Sequence, residues 1–262
     1  QLTFAHGKSR GGEKIVEPIA YLWTRTVPCT DNKCGATVPL VRQTWLCRKA
    51  DRAIALRMVP DRIARRVRFE IVSAESTDAL GFNPADHSDR GDAECPLCGA
   101  TVDAGKVKEY GRSGQIDAQL MAVAGLVDGE RGRVYLPAEV VPIPSTRDLE
   151  ERLGSFGDAW PGFARTSLAP EYTGGSCVPY GLNQFWKLFT NRQAVSLLTF
   201  SQVIREFHAK LKSILKDDDL ARAIVVYLSM SLDKAMDGGN TLTRWQSSDQ
   251  IVVPAMARQA LP

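Results

Sequence analysis

Apolar residues recur along this chain in two different rhythms. In the first half they form short β-prone runs. Ile15–Val27 contains Ile19, Ala20, Tyr21, Leu22 and Trp23; Thr37–Leu46 follows as a single strand with Trp45 as a core anchor; Ile54–Val59 and Val67–Val72 alternate in part. Gln119–Val127 and Arg133–Leu136 flank Asp128-Gly129, a hairpin signal when it stands between apolar runs, with a helix over Ile116–Leu126 as the rival for the first run. Ser73–Glu94 holds Gly81, Pro84 and Gly91 among few apolar residues and is expected as loop. Residues Gln1–Lys14, with Gly7, Gly11 and Gly12, carry no period.

The second half changes to a helical period. Thr146–Leu153 predicts a short helix, and Gly154–Gly181 is rich in glycine and proline and reads mostly as loop. Thr190 followed three residues later by Gln193 has the form of a capping box, in which each side chain bonds the other's backbone N–H at a helix start. Leu197, Phe200, Ile204, Phe207, Leu211 and Ile214 then form one stripe at helical spacing. Asp217, Asp218 and Asp219 break that helix and begin another, whose buried face is expected to be Leu220, Ile224, Tyr227, Leu228, Ser231 and Ala235, with Gly238-Gly239 as its stop. The pattern predicts an α+β chain with a lead-in over 1–18, a β domain over 19–140 and a helical domain over 141–262 that holds a long antiparallel helix pair.

Composition adds bounds. A chain of 262 residues with 44% hydrophobic content can bury a sizeable core. The longest apolar run, near Ala223–Leu232, falls short of the roughly 18 to 20 residues a membrane span needs, so no membrane is expected as a partner. The first residue is not methionine and no signal segment opens the chain, which suggests an internal fragment or a processed product. Six cysteines fit a reducing compartment better than a disulfide framework, and a cytoplasmic location is expected.

Four of those cysteines carry the clearest chemistry. Cys29 and Cys34 form one pair and Cys95 and Cys98 another, and glycine follows each second cysteine, Gly35 and Gly99. A tight knuckle needs positive φ just past its second sulfur, which glycine adopts at no steric cost. Four thiolates in two knuckles make a closed tetrahedral site, the preference of structural zinc, and leave no open position for catalysis. Sixty residues separate Cys34 from Cys95, so the ion would fasten distant parts of the chain together. His87 is the one substitute ligand the sequence offers. Cys47 is expected as a small buried residue, and no motif joins Cys177 to His208 as nucleophile and base.

Net charge is only +3, but its distribution is uneven. From Val41 to Arg68 lie Arg42, Arg48, Lys49, Arg52, Arg57, Arg62, Arg65, Arg66 and Arg68 against Asp51 and Asp61, an excess of seven positive charges. A band this rich in arginine suits phosphate contact, and all but Arg57 are candidate nucleic-acid-binding residues, with DNA as the expected partner. A solvated sheet face is the alternative. The sequence has no glycine-rich phosphate loop and no His-Glu-x-x-His, and Asn83-Pro84 is followed by Ala85 rather than by Pro-aromatic. No catalytic residue is assigned.

The run Ala20-Tyr21-Leu22-Trp23-Thr24-Arg25-Thr26-Val27-Pro28-Cys29 resembles the entry to the zinc ribbon in a bacterial and archaeal group of adenine-specific DNA methylases with an uncharacterised N-terminal domain. Arg90-Gly91 before Cys95-Pro96-Leu97-Cys98-Gly99, Tyr180-Gly181, Leu188–Gln193 and Arg258–Pro262 agree with that group in the same order. The resemblance implies methyl transfer from S-adenosylmethionine to the exocyclic amine of adenine, in modification or phage-defence systems, after the base is unstacked. The group's cofactor motif, Asp-Pro-Phe-x-Gly-x-Gly, and its Asp-Pro-Pro-Tyr catalytic motif have no match in these 262 residues. S-adenosylmethionine is therefore implied only for a parent enzyme. This chain would be its zinc-ribbon and helical region, with the rest of the methyltransferase as a further partner. A stand-alone zinc-ribbon nucleic-acid adaptor and a protein-interaction scaffold are the rival readings.

Overall fold

The computed structural model describes residues 2–4, 14–85, 87–89, 91–159, 162, 166–168 and 177–255. His6, Arg90, the glycines of the lead-in, Gly174-Gly175-Ser176 and the Arg258–Pro262 segment lie outside the described residues. The chain forms two compact units. The first comprises Gln1–Pro142, Pro179–Gly181 and Trp245–Ile251, and the second Ile143–Val178, Leu182–Arg244 and Val252–Pro262.

The first unit is built mainly of strands. In chain order it contains β1 (Leu2–Phe4), β2 (Lys14–Pro28), β3 (Thr37–Pro39), β4 (Trp45–Lys49), β5 (Arg52–Asp61), β6 (Arg66–Ala74), β7 (Ser88–Asp89), β8 (Asp92–Glu94), β9 (Thr101–Val102), α1 (Ala104–Arg112), β10 (Asp117–Val127) and β11 (Val134–Pro137). β2 and β10 pair antiparallel along most of their length, with β1 beside β2, β11 beside β10, and β3 on the far end of β2. β2 and β10 hold alternate residues inward, Leu22 and Thr24 on one and Leu120 and Ala122 on the other. The pairing shifts register where Gly125 meets Pro18, and a Cβ on Gly125 would stand 2.4 Å from Val16 Cγ1. Proline has no N–H for a ladder and glycine has no side chain to clash, so these two residues suit that irregularity.

The Asp128-Gly129 hairpin forms as expected, with Ala122 opposite Pro137 and Gly125 opposite Val134; the rival helix over Ile116–Leu126 does not form. The expected single strand Thr37–Leu46 is instead two. β3 pairs with β2, whereas β4 opens a second sheet with β5 and β6. Between them Leu40 N donates to Arg25 O and Thr44 N to Pro84 O, so the hydrogen-bond partners change within one apolar run. Ser73–Glu94 is mostly irregular but includes a 3₁₀ turn at Asp78–Leu80, which buries Leu80, and the short strands β7 and β8, which join β9 in a third sheet. Helix α1 goes beyond the sequence expectation. Its start is marked by Asp103, whose carboxylate accepts from Lys106 N at 2.9 Å.

The second unit is helical, with α2 (Thr146–Gly154), α3 (Asn191–Leu215) and α4 (Asp218–Gly238). A short hairpin of β12 (Arg244–Gln246) and β13 (Ile251–Val253) follows in the chain, and its Trp245–Ile251 portion is counted with the first unit. Both halves of the Thr190–Gln193 capping box are formed, and α3 ends at Lys216 in a left-handed conformation. Asp217 restarts the chain as α4 by accepting from Asp219 N and Leu220 N, and α3 and α4 pack together. Their buried lines differ from those expected. On α3 the shielded positions are Ala194, Leu197, Ser201, Ile204, His208, Leu211 and Leu215, while Phe200, Phe207 and Ile214 are exposed. On α4 the shielded positions are Ala221, Ile224, Val225, Leu228, Leu232 and Met236, while Leu220, Tyr227, Ser231 and Ala235 face out. Leu197, Ile204, Leu211, Ile224 and Leu228 are shielded as expected, while Ser201, His208, Leu215 and Ala221 take the places expected of Phe200, Phe207, Ile214 and Leu220.

Candidate metal centre

β2 delivers Cys29 at its end, and the chain turns back at once. Cys29 N donates to Ala36 O at 2.8 Å, while Cys34 N and Gly35 N both donate to Asp31 O. The Asp31 carboxylate also accepts from Lys33 N at 2.9 Å, a local turn that fixes the loop. The second knuckle repeats the device: Cys95 N donates to Ala100 O at 2.8 Å and Gly99 N to Cys95 O at 2.8 Å. Gly35 and Gly99 have φ of +57° and +78°, the left-handed conformation expected of each. A single hydroxyl joins the knuckles, Thr30 Oγ1 donating to Thr101 O at 3.1 Å.

The four sulfurs lie within 4.8 Å of one another. Cys29 Sγ is 3.6 Å from Cys98 Sγ, and Cys34 Sγ is 3.9 Å from Cys95 Sγ. A tetrahedron with metal–sulfur bonds of about 2.3 Å has edges of about 3.8 Å, so the group fits one tetrahedral ion. Among the described residues this is the only group of three or more His, Cys, Asp or Glu so gathered, and His87 is not part of it. Cys29 and Cys95 are buried, Cys34 is half-buried and Cys98 is exposed.

The protonation chemistry of the four thiols is uneven. Burial pushes Cys29 up to about 12 and raises Cys34 as well. Cys98 is lowered, chiefly because the backbone of Ala100 hydrogen-bonds its sulfur. A metal ion at this position would displace protons that the buried site otherwise retains. The surrounding shell is apolar: Val27, Ala36, Val38, Ala93, Val102, Val107 and Tyr110 form a core with the cysteines, and Tyr180 packs against it. Tyr180-Gly181 sits so close to α1 that a Cβ on Gly181 would stand 2.0 Å from Gly111 O. Only glycine fits there.

The arginine band divides by environment. Arg52 is half-buried and donates from Nη2 to Arg133 O at 2.9 Å, Arg48 lies over the Trp45 ring, and Arg57 lies over Phe82. Arg42 and Lys49 are exposed. Arg62, Arg65, Arg66 and Arg68 cluster at one end of the β5–β6 hairpin, all exposed, with Arg68 3.8 Å from Asp61. That end is tied to the first knuckle. Thr37 N donates to Arg65 O at 2.9 Å, and the Arg65 guanidinium lies 3.1 Å from where a Gly35 Cβ would stand. This meeting of the hairpin turn with the knuckle was not legible in the sequence. Cys47 is buried as expected, and Cys177 packs among Leu153, Leu168, Leu188 and Phe189.

No family model, no curated protein and no solved structure matches this chain.

Proposed function

We propose that this chain is a zinc-fastened DNA-binding region, and that it serves a DNA adenine-N6 methyltransferase by holding or positioning the duplex. The observation that carries the DNA-binding part is the direct tie between knuckle and basic hairpin. A structural ion at Cys29, Cys34, Cys95 and Cys98 rigidifies the loop that Arg65 O and the Arg65 side chain abut. Zinc is the ion these donors suit, since four cysteine sulfurs at tetrahedral spacing select a soft, closed site. Four thiolates around a divalent ion carry a net charge of about −2, which the Arg65 guanidinium beside Gly35 offsets in part. The zinc organises the fold and takes no part in chemistry here, and arginines presented on rigid backbone bridge phosphates without reading base identity.

The methyltransferase part rests on the family resemblance, which implies S-adenosylmethionine only for a parent enzyme. Replacing Arg62, Arg65 and Arg66 with glutamate tests the DNA-binding part. Affinity for unrelated duplexes should fall about equally, and the salt dependence should flatten by up to about one unit of slope for each phosphate no longer bridged. Unchanged affinity with a lowered melting temperature would make the arginines structural. Labelled methyl transfer by this chain alone would contradict the division of labour.

A further inference from the structure

We propose that Ile63 is a wedge that enters a base step of duplex nucleic acid while the arginines beside it clasp the flanking phosphates. This deepens, and rests on, the DNA-binding reading above. β5 and β6 pair as far as Asp61 opposite Arg66, and Arg62–Arg65 form the turn. At its apex Ile63 is 98% exposed, the most exposed large apolar side chain among the described residues. Turn apices favour Gly, Asn, Asp and Ser, whose backbone or side chains suit the bend, so a bare β-branched residue is a poor choice for the turn itself.

The apex is also held firmly. Asp61 Oδ1 accepts from Ile63 N at 3.1 Å and from Ala64 N at 2.9 Å, and Asp61 Oδ2 is 3.8 Å from Arg68 Nε. Arg65 adopts φ of +49°, a conformation that costs a residue with a Cβ, and its carbonyl is anchored by Thr37 N. The one acidic group at the tip is thus occupied with the turn and Arg68, while Arg62, Arg65 and Arg66, all exposed, lie beside the isoleucine along the turn and at its close. An isolated apolar side chain framed by arginines matches the device by which proteins part a base step, with phosphates neutralised on either side. An anionic membrane would also attract these charges. However, a membrane-inserting loop gains from several adjacent apolar residues, and here Arg62 and Ala64 flank a single one.

The test uses the full chain with Ile63→Ser and Ile63→Leu, and a short duplex carrying 2-aminopurine at central pyrimidine–purine steps, which unstack most readily. The wild-type chain should bind in a salt-dependent way and raise the 2-aminopurine fluorescence. Ile63→Ser should abolish that rise and weaken binding roughly three- to tenfold, while Ile63→Leu retains both. Salt-dependent binding with no fluorescence rise, or an equal rise with Ile63→Ser, overturns the wedge and leaves the DNA-binding reading standing. Absence of salt-dependent duplex binding overturns both, including the case in which the chain sediments instead with vesicles of phosphatidylserine and phosphatidylcholine. Melting curves guard against misfolding, which a side chain so exposed should not cause.

Discussion

Cys29 and Cys98 lie 3.6 Å apart yet differ in what their surroundings favour: burial keeps the first protonated, and the Ala100 backbone favours the thiolate of the second. At Cys29 this gives the metal-free and metal-loaded chains opposite responses to pH. In the metal-free fold, Cys29 rises from 9.0 to about 12, so its neutral form is the one the fold favours. The stability linked to it is present below about pH 9 and is lost as pH rises towards 12. With metal bound, thiolates replace thiols and protons compete from the acid side, so affinity falls about tenfold per pH unit for each proton displaced. Melting curves from about pH 5 to about pH 11 check this. The metal-loaded chain should lose stability towards acid, where the Cys29 contribution to the metal-free chain is undiminished; a metal-loaded chain indifferent to acid would contradict it.

At the scale of elements, packing decides what periodicity leaves open. α4 carries Leu220, Ala221, Ala223, Ile224, Val225, Val226, Tyr227 and Leu228 in near succession, so a helical period exists without a unique phase. Ala221 is fully buried and Tyr227 is 72% exposed. Ala221→Leu should therefore overpack the seam and cost about 1–3 kcal/mol, while Tyr227→Ala should stay within about 0.5 kcal/mol. Denaturant unfolding separates the two phases, since the reverse order would restore the face expected from sequence. The capping box at Thr190 and the stop at Gly239 were legible because their bonds are local, made within a few residues of the signal. β3 and β4 were not separable, because their partners β2 and β5 are chosen by the tertiary fold. The knuckles were legible down to their glycines for the same local reason. Their link to Arg65 required a meeting of segments about thirty residues apart.

At the scale of the molecule, each unit has its own hydrophobic cluster, and the four cysteines belong wholly to the first. Structural zinc contributes on the order of 10 kcal/mol in small metal-dependent folds, so its loss should loosen the first unit while the α3–α4 pair keeps its own packing. Four sulfurs gathered from Cys29, Cys34, Cys95 and Cys98 are the basis for the proposed zinc-fastened unit. Native mass spectrometry of the reduced chain counts the metal and, from the exact mass gained, the protons it displaces. One zinc per chain is expected, with roughly one proton lost per thiol, retained in Cys47→Ser and lost or sharply weakened in Cys98→Ser. A wild-type chain that takes up no zinc after reduction and zinc addition, or a Cys98→Ser chain that holds it undiminished, would contradict the metal centre.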